Sequence, residues 1–85
     1  MQVKLYNHIE GLNTVRDYNK QPPAEVVEFE NMMETVSEIS NYITDLGFYA
    51  AIVYNHNNEI VITYRKGSEK SEKRIAVGDL NDPWM

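Results

Sequence analysis

Between Pro23 and Leu46 the apolar residues Val26, Phe29, Met32, Met33, Val36, Ile39, Ile43 and Leu46 recur mostly in steps of three and four. That is the period of a helix with one face turned to a core. Pro22 and Pro23 suit the entrance, since proline is tolerated in the first turn. Glu25 and Glu28 would sit near the positive end of the helix dipole. Gly47 is a stop signal, because glycine readily takes the left-handed conformation that ends helices. The pattern predicts one long helix over about 23–46, with Val36 at the centre of its buried stripe.

A helix with one apolar stripe needs a partner layer, and the following residues supply it. Phe48 to Tyr54 and Glu59 to Arg65 are rich in β-branched and aromatic residues, separated by Asn55-His56-Asn57-Asn58. This reads as a hairpin. Side chains alternate across a strand. One face then carries Tyr49, Ala51, Val53, Ile60, Ile62 and Tyr64, and the other Ala50, Ile52, Tyr54, Val61, Thr63 and Arg65. The first set is the more apolar and is expected to meet the helix through Phe29, Met33, Val36 and Ile43.

Val3 and Leu5 alternate with Lys4 and Tyr6, which suggests a strand over 2–6. Ile9, Leu12 and Val15 hint at a short helical segment interrupted by Gly11. Residues 66–74 read as a polar loop, 73–77 as a short further strand, and 78–85 as irregular. The expected fold class is α+β: a short antiparallel β-sheet, made of a hairpin plus edge strands, with one long helix on one face. The order is β-α-β-β, with a further β at the end.

The whole chain, 85 residues long, has room for one domain, residues 1–85. It holds no cysteine, which removes disulfides, thiolate metal sites and thiol nucleophiles together. No apolar signal stretch follows Met1, and no run of eighteen apolar residues occurs. A cytoplasmic protein off the membrane is therefore expected. Glycines stand alone at 11, 47, 67 and 78, so there is no phosphate-cradling loop. His8 and His56 lack neighbours at metal-ligand spacing. Asp79, Asn81 and Asp82 lack the glycine and glutamate of a calcium loop. No catalytic, cofactor or metal site is expected, nor an enzyme.

Charge is the more informative property. The net charge is −5, which opposes bulk-charge binding to nucleic acid or to an anionic membrane. Between Gln21 and Gly47 stand six carboxylates and no lysine or arginine, so everything else together nets +1. On the predicted helix Glu30, Glu34, Glu38 and Asp45 would lie opposite the buried stripe as one acidic ridge. Such a ridge suits a protein partner with a basic surface. In size and charge, though in no motif, the chain resembles the small acidic inhibitors that phages carry against host nucleic-acid enzymes, anti-CRISPR proteins among them. That resemblance implies a non-enzymatic inhibitor that imitates DNA phosphates and blocks a basic nucleic-acid-binding surface.

Two other readings stand beside it. One helix cannot cover both faces of a sheet, so Ile52, Tyr54 and Val61 could serve self-association as a homodimer. The stretch Arg65, Lys66, Lys70, Lys73 and Arg74, against Glu69 and Glu72, nets +3 and could touch nucleic acid weakly. No aromatic is interleaved between Lys66 and Arg74 to stack bases.

Overall fold

The structure is a computed structural model and describes residues 1–66. The expectations for the polar loop, a strand over 73–77 and the final residues lie outside these. The elements run β1 (Gln2–Tyr6), α1 (Val15–Asn19), β2 (Glu25–Glu28), α2 (Met32–Thr44), β3 (Ala50–Tyr54) and β4 (Ile60–Arg65). The four strands form one sheet in the order β2-β1-β3-β4, antiparallel throughout. This is the α+β class expected, with a hairpin, two further strands and a helix across one face. Among the described residues no helix is long and apolar enough to cross a membrane.

The long helix is shorter than its pattern implied. Glu25–Glu28 pairs with β1, placing Val27 opposite Val3 and Glu25 opposite Leu5. The helix proper starts at Met32 and ends at Thr44. Val26, Phe29 and Met32 keep a three-residue step, but two adjacent β-branched valines favour an extended chain. Asn31 then fixes the start: it is extended, and its side chain accepts the Glu34 N–H at 2.8 Å. Such a cap satisfies a donor that the first turn would leave unpaired. At the far end Gly47 takes φ +77°, the left-handed conformation expected beyond a helix terminus.

The buried stripe is rotated from expectation as well. Thr35, Ile39 and Ile43 are buried, with Met32 and Tyr42 packed beside them, whereas Met33 is 84% exposed and Val36 37%. Thr35 can be buried because its hydroxyl donates to the Asn31 carbonyl at 2.7 Å. This stripe meets Val3, Leu5, Ala51, Val53 and Ile62 in the first core cluster.

A second cluster lies on the opposite face of the sheet. Val15 and Tyr18 of α1 cover Tyr6, Ala50, Ile52 and Tyr54 there, with Leu12, Tyr49 and Ile60 at the margin. Thr14 caps α1 by accepting the Asp17 N–H at 3.1 Å. Helical structure thus begins only at Val15, the last residue of the Ile9–Val15 segment. Tyr18 stacks on Tyr49 at 5.9 Å and meets Tyr6 edge-on at 5.7 Å.

Three assignments of hairpin faces change. The register steps from Val53↔Ile62 to Tyr54↔Ile60, leaving Val61 as an extra residue. A bulge of this kind exchanges the sides on which neighbouring residues point. Ile60 therefore joins the α1 side and Val61 the α2 side. Tyr49, just before β3, also packs on the α1 side. The turn forms on the expected asparagines: Asn55 Oδ1 accepts the N–H groups of Asn57 and Glu59 at 2.9 and 3.0 Å, and Asn58 has φ +64°.

Candidate functional site

One open groove lies at the end of the sheet where β1 begins, β2 ends and the β3–β4 turn folds over. It measures about 870 Å³ and is lined by Met1, Gln2, Glu28, Phe29, Glu30, Glu34, Asn55, His56 and Asn58. Each element has a reason to end there. Met1 and Phe29 exchange both backbone hydrogen bonds, at 2.8 and 2.5 Å, and so pin the start of β1 to the end of β2. The Asn31 cap turns the chain into α2 immediately afterwards, which sets Glu34 in the first helical turn beside Glu28 and Glu30. The Asn55 network fixes the turn that carries His56 and Asn58.

The lining is acidic and amide-rich. Glu28, Glu30 and Glu34 are all exposed; among the described residues no lysine or arginine lines the groove, and the Met1 ammonium there donates to the Phe29 carbonyl. No ion pair neutralises Glu25, Glu28, Glu30 or Glu34 among the described residues. Lys4, which faces the neighbouring stretch of β2 across the ladder, holds its ammonium over the Tyr54 ring instead, 4.7 Å from the centroid. Among the described residues no cluster of three or more His, Asp and Glu side chains is arranged to hold a metal ion.

The predicted ridge divides. Glu30 precedes the helix and belongs to the groove. Glu34, Glu38 and Asp45 do share one flank of α2, within about 40° of one another and along about 17 Å. Glu38 is half-buried and accepts from the Asn41 amide at 3.4 Å. Asp45 is exposed at the C-cap, with no basic residue in the last turn. Glu34 is thus the residue common to groove and flank. The pole of the helix that faces solvent carries Ser37, Asn41 and Thr44, with Met33 and Glu34 about 50° away on either side.

Of the proposed self-association residues, Ile52 and Tyr54 lie together and Val61 lies apart. Ile52 is fully buried and Tyr54 is 5% exposed beneath α1, while Val61 packs on the opposite face. The second sheet face is closed by the chain's own α1. Tyr54 donates its hydroxyl to Asn19 Oδ1, and burial, followed by the nearby Tyr6, pushes its pKa up to about 12. Burial also raises the pKa of Tyr6. Of the basic stretch only Arg65 and Lys66 fall within the described residues, and Arg65 donates to the Asn13 carbonyl at 3.3 Å.

Sequence reasoning missed Glu28 and the turn residues as partners of Glu30 and Glu34. The available signal was Asn31-x-x-Glu34, a capping pattern that starts a helix and thereby frees residues 25–28 to be a strand. No family model matches the chain, no curated protein matches its sequence, and no solved structure matches its fold.

Proposed function

We propose that this protein is a non-enzymatic binding protein whose acidic end receives a lysine- and arginine-rich surface of another protein. The observation that carries this reading is the groove: Glu28, Glu30 and Glu34 converge on it, and no lysine or arginine among the described residues lines it. Carboxylates held on a strand end and a capped helix turn are preorganised, so they lose little entropy when a guanidinium or ammonium arrives. The finer form of the reading is inhibition. A partner surface that ordinarily holds phosphates would meet carboxylates in their place, and nucleic acid would be displaced.

Amide chemical-shift mapping with an oligo-arginine peptide tests the reading. Shifts should concentrate at Glu28, Glu30, Glu34 and His56, and affinity should fall steeply as salt screens the charges. Shifts dispersed over the surface, or an affinity indifferent to salt, would remove the groove from consideration. The inhibitory form needs a further result, release of bound DNA from a basic nucleic-acid-binding protein on addition of the chain.

A further inference from the structure

Resting on that reading, the geometry points to the outer edge of β2 as a docking strand for an extended basic segment of the partner, added to the sheet as a fifth strand. Among the described residues β2 pairs only with β1. Met1 and Phe29 exchange both hydrogen bonds, so the bonded pairs continue at Val3–Val27, and beyond it the Leu5 carbonyl accepts from the Ala24 N–H at 2.8 Å. In an antiparallel ladder the intervening residues point their N–H and C=O groups the other way. Val26 and Glu28 therefore present a row of backbone donors and acceptors outward.

The side chains along that edge define what would fit. Glu25, Val26 and Glu28 are exposed, and Val26 is 45% so. An antiparallel strand reading basic–apolar–apolar–basic would set its charges opposite Glu28 and Glu25 and its apolar residues opposite Val27 and Val26. Opposite charges and apolar pairs across a ladder both stabilise it. The edge runs directly into the groove at Glu28 and Phe29, so further basic residues would reach Glu30 and Glu34. A second copy is the poorer occupant. Two antiparallel β2 strands would oppose Glu25 to Glu28, like charge to like. Another copy's β4 offers one basic residue, Arg65, to two carboxylates. Pairing through exposed edges is an established mode of peptide capture.

The full-length chain is titrated with a blocked peptide carrying lysine-valine-valine-lysine, in parallel with the oligo-arginine peptide. Hydrogen exchange should show new protection at the Val26 and Glu28 amides. Glu25→Lys with Glu28→Lys should weaken the peptide by roughly five- to tenfold, since two attractive pairs become repulsive. Val26→Pro removes an outward N–H and no inward one, a change that edge strands tolerate, and it should abolish binding. The edge is overturned if the peptide fails to bind while oligo-arginine still maps to the groove. It is equally overturned if Val26→Pro binds the peptide as well as the parent does. Protection of the Val26 and Glu28 amides in the free chain would also sink it, because the edge would already be occupied. Failure of oligo-arginine to map to the groove strikes the underlying reading instead.

Discussion

The hydroxyl of Tyr54 in β3 donates to the side-chain carbonyl of Asn19 at the end of α1. This joins the short helix to the sheet at the edge of the second core cluster. It holds only while the phenol keeps its proton, and burial raises the pKa of that phenol from 10.0 to about 12.

Stability should therefore fall in alkali. An unfolded Tyr54 ionises near its ordinary value, and the folded one near 12. Its contribution is complete below about pH 10 and is lost progressively as pH rises from there toward 12. Tyr54→Phe has no proton to lose, so its urea midpoint should decline less between pH 9.5 and 11.5, roughly, than that of the parent. Equal declines would mean that other groups govern alkaline unfolding.

Tyr6 differs from Tyr54. Its hydroxyl is buried and has no hydrogen-bond partner among the described residues. A buried, unmatched polar group costs about 1–3 kcal/mol, and deleting it without changing shape is neutral or favourable. Tyr6→Phe should leave the fold unchanged and raise stability by up to about 1 kcal/mol. A loss of more than that in chemical denaturation would show that the hydroxyl has a partner.

Helix α2 gives a test of orientation. Ile39 is 1% exposed and Val36 37%. Ile39→Ala should cost about 2–4 kcal/mol, the usual range for emptying a core site. Val36→Asp should cost about 1 kcal/mol or less, as surface changes generally do. Circular dichroism melts of both variants decide it, and the reverse ranking would restore the stripe that the sequence pattern implied.

Why the pattern misled is physical. Val26, Phe29 and Met32 keep a helical step, yet Val27 pairs with Val3 and Phe29 with Met1, because β1 offers a ladder that no local period reveals. Asn31 and Thr14 were readable as caps, each with an acidic residue three positions on. The sheet, its hairpin and the stop at Gly47 were legible because β-branched runs and turn asparagines act locally. The Val61 bulge was not, since an extra residue leaves no mark on composition. The cover over Ile52 and Tyr54 was not either, because α1 has only five residues and owes its place to Tyr18 packing. For the site, the absence of basic residues from 22–46 was plain. Which carboxylates converge depended on where the helix began.

That start separates the carboxylates by role, and two charge changes on α2 should behave differently. Glu34 lines the groove in the first turn, where a negative charge is also favoured by the helix dipole. Asp45 stands at the C-cap, where the dipole opposes it, at a cost of about 0.3–1 kcal/mol. Asp45→Lys should therefore stabilise the protein by a similar amount and leave oligo-arginine affinity nearly unchanged. Glu30→Lys together with Glu34→Gln should preserve the fold, because Asn31 still caps the helix. The same pair should weaken the peptide and flatten its salt dependence, since two of the three groove carboxylates are gone. Isothermal titration at low and moderate salt reads both outcomes. If Asp45→Lys weakens binding as much as the groove pair does, the recognised feature is the whole flank of α2 rather than the groove.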